Sequence, residues 1–536
     1  MLKIATSAEM HRIDRTTIEK YGISGTVLME RAGLCVVERI NDILFQNTEH
    51  ITHNTEKNRA KKIIVVCGGG NNGGDGFVIA RVMHNQGREV EVYLAATPRG
   101  LEGDAKINYD AARKYGVAIR PVSHFLKHYP RGAARNCIII DALIGTGLNK
   151  EVRSPLSDII GKINKMSCPV VSVDIPSGIS SDTGQIMGCA IKARYTVTFG
   201  LAKRGHFLYP GAEHTGQLFI EDIGFPLPLL ASEKIRINMV QKEDINTLFP
   251  ARPEYSHKGT YGHVLIIAGS RGKTGAALMA AKACLRTGAG LVTIGIPETL
   301  MGAFQSRVTE EMILPLPDKG NGTLSYGAAE TIFDFLRKMG TVLAIGPGLS
   351  ADKEISRLVT ELVKGSRVPI VIDADGLNAI ADNVNLLRKS RAPVILTPHP
   401  GEMARLLIQS SIVAGKDNLL TLIEEDRINI VLNFARQTGT YVVLKGPPTI
   451  TASPLGEAYI NTTGNPGMAT AGTGDVLTGM ISAFIAQGLS PADAAMAGVY
   501  IHGYAGDIIA EEKGKNALIA SDIIRILPIV LKSTRD

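Results

Sequence analysis

Short β-branched and aliphatic runs that end in glycine and lead into helical sequence recur along this chain, and this alternation confines it to an α/β architecture. Lys62–Cys67 (KIIVVC) runs into glycines, and Phe77–Asn85 then reads as helix. Val90–Ala95, Cys137–Asp141, Val170–Asp174, Tyr195–Gly200 and Leu218–Ile223 read as further strands, with helices over Asp104–Tyr115 and Ser157–Lys165. Strands alternating with helices predict a mainly parallel sheet covered on both faces. The first 40 residues read as helix, because LMERAGLCVVERI spaces its apolar residues at the helical period. Residues 225–262 interrupt the pattern with prolines and charges and no sustained period, which places a domain boundary near 230–240. A second series begins at His263–Ala268 and continues through Leu291–Ile296, Val342–Gly346, Ile370–Asp373, Val394–Thr397 and Tyr441–Lys445. Its long helices include Gly275–Thr287, Lys353–Gly365 and Arg427–Gln437. The two series share no motif, so the chain reads as a fusion of two domains, 1–230 and 236–536.

Composition narrows the function classes. With 45% apolar residues the chain has ample core, which excludes wholesale disorder. The net charge of +7 sits in the first part: residues 1–240 hold 30 Lys and Arg against 23 Asp and Glu, and residues 241–536 hold 28 of each. A solvated surface and a face for an anionic ligand both fit that excess. No arginine-rich tail and no block of five like charges occurs, Trp is absent and aromatics are only 5%, which speaks against a nucleic-acid partner. The six cysteines form no C-x-x-C pair and several sit in apolar runs, so a reducing compartment is expected, without a disulfide framework or a cysteine zinc site. MLKIATSAEMHRIDRT has no signal-peptide core and no run of 18 apolar residues exists, so a cytoplasmic location and no membrane contact are expected.

In the first half, the strand Lys62–Cys67 runs into Gly68–Gly76 (GGGNNGGDG), with six glycines in nine residues. Such a loop permits positive φ and close backbone approach, and the helix start behind it offers free N–H groups to phosphate. Two more strand ends are polar: Asp141 in DALIGTG, and Asp174 and Ser177 in DIPSG. Ligand groups collect at the carboxyl ends of parallel strands. Asn72, Asp141 and Ser177 would supply hard oxygens, which suit a hard cation better than zinc, although each Asp taken singly is also what a helix cap or turn requires.

NNGGDG, DALIGTG and VDIPSG, with the N-terminal helix, resemble the NAD(P)H-hydrate epimerase family over about residues 1–225. The resemblance implies a Rossmann-like, three-layer fold that interconverts the two C6 epimers of hydrated NADH or NADPH. It implies dinucleotide contacts from Asn71, Asn72, Gly73, Gly74 and Asp75, and from the loop Gly145, Thr146, Gly147, Leu148, Asn149, Lys150 and Glu151. It further implies K+ at Asn72, Asp141 and Ser177, and Asp174 at the reacting carbon as the acid–base group.

In the second half, Gly269–Gly275 (GSRGKTG) looks like a P-loop, but the position that needs the first glycine is Ile267, so a P-loop NTPase is rejected. The stronger feature is Asn461–Asp475 (NTTGNPGMATAGTGD) before the helical run VLTGMISAFIAQG. Gly472-Thr473-Gly474-Asp475 at a helix start would present N–H groups to an anion and a carboxylate to a hydroxyl. Further strand ends are Gly346–Leu349 (GPGL), Asp373–Asn378 (DADGLN), Thr397–Glu402 (TPHPGE) and Lys445–Thr449 (KGPPT).

GPGL, TPHPGE, LKG and GNPGMATAGTGD resemble the ADP- or ATP-dependent NAD(P)H-hydrate dehydratase family, of ribokinase-like fold, over about residues 235–536. That resemblance implies phosphorylation of the C6 hydroxyl of the S epimer and elimination of phosphate, with Mg2+ carried on ADP or ATP. Asp475 would take the hydroxyl proton, Lys445, Gly446, Pro447, Pro448, Thr449 and Gly474 would bind the adenine nucleotide, and Ala276, Gly348, His399 and Asp475 would meet the hydrate. Together the halves resemble a bifunctional NAD(P)H-hydrate repair enzyme, expected as a homo-oligomer. The alternative is a ribokinase-like small-molecule kinase fused to a non-catalytic Rossmann-like binding module; the presence of Asn72, Asp141 and Asp174 argues against it. No G-x-S-x-G elbow and no H-E-x-x-H motif occurs, so neither a serine hydrolase nor a zinc protease is supported.

Overall fold

The computed structural model describes residues 1–46, 62–128, 137–249, 252–408, 410 and 418–534. The chain divides into two units, Lys3–Ile235 and Arg236–Asp536 with Met1–Leu2. Part of the expected irregular stretch 225–262, namely Pro250 and Ala251, lies outside the described residues.

In the first unit seven strands form one parallel sheet in the order Ala118–Pro121, Val90–Leu94, Lys62–Cys67, Cys137–Ala142, Val170–Val173, Tyr195–Phe199, Gln217–Glu221. Both faces are covered, which is why KIIVVC is apolar without alternation. Ile63, Val65 and Cys67 face a core shared with Phe77, Ile79 and Val36. Ile64 and Val66 face the opposite core, with Phe125, Ile159, Ile160 and Ile163. The helices Ser7–Tyr21 and Gly25–Gln46 precede the sheet; the first is opened by a Thr6–Glu9 capping box and stopped by Gly22 at φ 74°. The short strand Ala118–Pro121 was not legible, being largely exposed and closed by proline.

Two expectations are corrected here. The helix after Lys62–Cys67 begins at Asn71, six residues before Phe77, so only Gly68–Gly70 form the turn. None of the six glycines has a positive φ; all but Gly70 have close neighbours that leave little room for a side chain. A Cβ on Gly73 would lie 2.1 Å from the Gly68 carbonyl oxygen, one on Gly74 2.5 Å from Met29 Sδ, and one on Gly76 2.7 Å from Cys67 Sγ. The second correction concerns cysteine. Cys137 and Cys168 are disulfide-bonded, with Cα atoms 5.7 Å apart. Cys137 opens one strand and Cys168 lies just before the next, and the parallel register Ile139↔Val170 sets them side by side.

In the second unit ten strands run Met312–Leu316, Leu291–Pro297, His263–Ile267, Val342–Ile345, Ile370–Ile372, Val394–Leu396, Tyr441–Leu444, Thr449–Ala452, Ala458–Asn461, Ile237–Met239. The first seven are parallel; Thr449–Ala452 and Ala458–Asn461 are antiparallel to their predecessors, a hairpin that the alternation of strand and helix did not reveal. The helices Thr274–Thr287 and Thr473–Ala486 pack so closely that a Cβ on Gly479 would lie 2.1 Å from the Ala280 carbonyl oxygen. Ala277, Ala280, Ala281, Val476, Met480 and Phe484 are fully buried in that contact region. Among the described residues no helix is long and apolar enough to cross a membrane.

Candidate functional site

In both units the strand order reverses beside the first strand of the series, and such reversals open a crevice at the carboxyl ends of the strands. In the first unit a cavity of about 460 Å³ opens there, lined by Gly70, Asn71, Asn72, Asp75, Gly145, Thr146, Gly147 and Asp174 and closed by Met10, Leu28, Met29 and Phe225. Gly73 and Gly74 lie outside that lining, Gly73 against the Gly68 backbone and Gly74 against Met29 and Ala105. Leu148 packs on the apolar core, and Asn149, Lys150 and Glu151 are exposed beyond the cavity lining.

Asp141, Ser177 and Asn72 are linked through one loop. Asp141 is buried and accepts from Ser177 Oγ at 2.6 Å, Ser177 N at 2.9 Å and Ser172 Oγ at 2.8 Å. Burial raises its pKa, and these bonds counteract the rise only in part. Ser177 Oγ also accepts from Ile144 N at 2.9 Å, and a Cβ on the next residue, Gly145, would touch the Asn72 side chain at 3.4 Å. Both polar atoms of the Asn72 amide are buried without a partner. Such a group normally has one, so an oxygen-seeking ion fits this position.

Asp174 follows the strand Val170–Val173 and adopts φ 67°, a left-handed backbone that L-residues avoid, so the predicted strand ends one residue early. Its amide donates to Val197 O at 2.7 Å. Its carboxylate receives Lys203 Nζ at 2.6 Å and Thr198 Oγ1 at 3.0 Å. Burial would raise the Asp174 pKa, but the charge and hydrogen bond of Lys203, with His206 and Thr198, bring it below the ordinary carboxyl value. Asp75, on the same cavity, moves the opposite way: burial, then Asp174 and Asp14, push it well above its ordinary value. Two carboxyl groups of one cavity thus stand in opposite protonation environments.

In the second unit Gly269 N donates to Pro347 O at 2.8 Å and Ser270 Oγ to Gly348 O at 2.7 Å, tying the GSRGKTG turn to the GPGL turn. Gly348 stands at φ 66°, and a Cβ there would lie 3.3 Å from the Ala276 methyl, so these two expected hydrate contacts are neighbours. His399 is exposed; its ring Nδ1 accepts from Gly401 N at 3.0 Å and caps the helix Pro400–Ile408.

Asp475 is the third residue of the helix Thr473–Ala486, whose N-cap is Gly472 at φ 91° with no side-chain cap, so the first N–H groups are open to an anion. Lys445 Nζ meets Asp373 Oδ1 at 2.8 Å and Glu402 Oε2 at 3.9 Å. Asp373 also accepts from Thr478 Oγ1 at 2.8 Å, one turn beyond Asp475. A Cβ on Gly474 would sit 3.4 Å from Lys445 Nζ, so Gly474, Asp475, Lys445 and Asp373 share one site. Burial and Asp373 push the Asp475 pKa up to about 7, with Lys445 opposing. Burial alone would depress Lys445, but Asp373 and Glu402 hold it above the ordinary lysine value. Gly446–Thr449 form the adjoining turn, held from behind by the buried Arg427, whose Nη2 donates to Lys445 O at 3.1 Å and Pro448 O at 3.3 Å.

Comparison with known proteins matches the two units to two different families. A family described as NAD(P)H-hydrate dehydratase matches residues 264–529, and one described as YjeF-related protein N-terminus matches residues 25–205. A bifunctional NAD(P)H-hydrate repair enzyme of Moorella thermoacetica is 42% identical, over 99% of this chain and 97% of its own. The chain belongs to the bifunctional NAD(P)H-hydrate repair enzymes. A member from Thermofilum pendens is 38% identical over 100% of this chain and 97% of its own. An ADP/ATP-dependent NAD(P)H-hydrate dehydratase of Bacillus subtilis, co-crystallised with ATP and Mg2+, is 31% identical and covers 56% of this chain and 99% of its own, with a TM-score of 0.48.

As a member of these repair enzymes, the chain carries site residues that sequence reasoning missed. Lys203, Thr198 and His206 gather on Asp174, while Asp373 and Glu402 gather on Lys445 and Thr478 holds Asp373. One signal was present: Lys203 closes the apolar stretch TVTFGLAK, and a lysine buried in such a run needs a charged partner.

Proposed function

We propose that Lys3–Ile235 interconverts the R and S epimers of hydrated NADH or NADPH, and that Arg236–Asp536 returns the S epimer to NAD(P)H with ADP or ATP. The observation that carries this reading is the Asp475 constellation: a carboxyl whose pKa is pushed up to about 7, at an uncapped helix start, beside Lys445. A base near neutral pH beside an anion site suits phosphoryl transfer to a hydroxyl. Asp475 takes the C6 hydroxyl proton as that oxygen attacks the terminal phosphoryl group, and the nucleotide leaves shortened by one phosphate. Phosphate then departs from C6, C5 loses a proton, and the ring double bond is restored. Hydroxide is a poor leaving group and phosphate a good one, so the nucleotide is what makes the elimination feasible.

Mg2+ would arrive on the nucleotide phosphates and offset their charge, while Asp373 and Asp375 are engaged with Lys445 and Lys273. Lys445, Gly446, Pro447, Pro448, Thr449 and Gly474 surround the phosphate path, and Ala276, Gly348 and the exposed His399 face the hydrate. In the first unit the unpartnered Asn72 amide, with Asp141 and Ser177, fits K+, which would supply positive charge beside the pyrophosphate. Asn71, Asn72, Asp75 and Gly145–Gly147 line the cavity that would take the dinucleotide, with Gly73 and Gly74 setting the backbone behind them and Leu148–Glu151 beyond its rim, and Asp174 is the acid–base group at the reacting carbon. The same reading carries a cytoplasmic homo-oligomer, a state that sedimentation of the purified chain would measure.

The test gives the purified chain separated R and S hydrates with ADP or ATP and follows the absorbance of reduced nicotinamide. Recovery from both epimers is expected. No recovery from either would reject the reading, and recovery from S alone would reject its first half.

A further inference from the structure

Lys203 is only 2% exposed, yet with Asp174 it lines the cavity of the first unit. Its Nζ donates to Asp174 Oδ1 at 2.6 Å and Thr198 Oγ1 at 2.7 Å, with only a long contact of 3.4 Å to Phe199 O for its third proton. The backbone fixes this geometry. Ala202–Lys203 pairs in parallel with Ile4–Ala5. Lys203 N donates to His206 Nδ1 at 3.1 Å, which leaves the ring proton on Nε2, and that nitrogen donates to the Asp174 carbonyl at 3.0 Å. A purely structural ion pair has no need to open onto a ligand cavity.

We propose that Lys203 is the second catalytic group of the epimerising site, giving a proton to the ring nitrogen while Asp174 takes one from the C6 hydroxyl. This rests on the epimerase reading above. C6 of the hydrate bears both a hydroxyl and the ring nitrogen, so it is a hemiaminal carbon. Asp174 removes the hydroxyl proton, C6=O forms, the C6–N bond breaks, and the nitrogen receives a proton from the Lys203 ammonium. Rotation about C5–C6 presents the other face. The nitrogen then re-adds and returns its proton to Lys203, and Asp174 reprotonates the oxygen. No electrons are exchanged and no co-reactant is consumed.

The test uses full-length Lys203→Ala, Lys203→Gln and Lys203→Arg, with thermal unfolding to verify the fold and dehydration of the S epimer as an internal control. Ala and Gln are expected to slow epimerisation by roughly 10²–10⁴-fold. Arginine keeps the charge but does not release its proton in proteins, so Lys203→Arg is expected to be equally slow. Added ethylamine is expected to restore rate to folded Lys203→Ala in proportion to its concentration. Full-rate epimerisation in any of the three variants, or a folded Lys203→Ala that ethylamine does not rescue, would overturn the proposal. Wild-type protein that dehydrates S but never epimerises R would overturn the reading on which it rests.

Discussion

Asp174 and Asp475 are the same residue type tuned in opposite directions by their neighbours. Lys203 and its companions hold Asp174 below the ordinary carboxyl range, whereas burial and Asp373 push Asp475 up to about 7. A base must be deprotonated to act, so the dehydratase kcat/KM is expected to rise through an acidic limb near pH 7. Asp373→Asn removes a neighbouring negative charge, and the limb should move to lower pH; a limb unmoved in a folded variant would reject Asp373 as the source. Asp475→Asn should lower dehydration by roughly 10²–10⁴-fold and leave epimerisation intact. Both aspartates were legible in the sequence, because each sits in a compact motif at a strand end or helix start. Their partners were not: Lys203 and Asp373 are distant in sequence from the groups they serve, and no local pattern joins them.

At the scale of elements, the glycine-rich segment after Lys62–Cys67 shows how one composition serves two purposes. The sequence predicts a long loop with positive φ, and the structure instead starts the helix at Asn71 and uses glycine for contact. Glycine is a poor helix former in isolation, which is why propensity pointed to a loop; close packing against the Gly68 carbonyl, Met29 and Cys67 overrides it. Gly73→Ala should therefore destabilise the first unit by about 1–3 kcal/mol, because its Cβ meets backbone. Gly161→Ala, in the helix Leu156–Ile163 with nothing within 4 Å of the added Cβ, should stabilise by up to about 1 kcal/mol. Thermal denaturation of the two variants checks the contrast, and equal shifts would show that packing is not what selects glycine at position 73.

Across the whole molecule, each unit has its own apolar core and its own reversal of strand order. In the first unit the Cys137–Cys168 bond, spanning 31 positions, closes a loop that contains Asp141 and Gly145–Glu151. It joins the strands near their amino ends, away from the cavity, so its effect should be on stability. Loop-closure entropy for a span of that length corresponds to about 3–4 kcal/mol. Cys137→Ser, or reductant, should lower the unfolding temperature of the first unit while both activities persist at low temperature; an unchanged transition would show that the bond contributes nothing. The sequence by itself determined the α/β class, most of the alternation of strands and helices, the strand ends that carry Asp174, Ser177 and His399 and the helix start that carries Asp475, because periodicity and glycine placement act within a few residues. Only the tertiary structure decided the Lys203–Asp174 and Lys445–Asp373 pairs, the cysteine bond and the opposed protonation of like carboxyl groups. Those depend on which strands become neighbours and which groups lose water, and both are set by long-range packing.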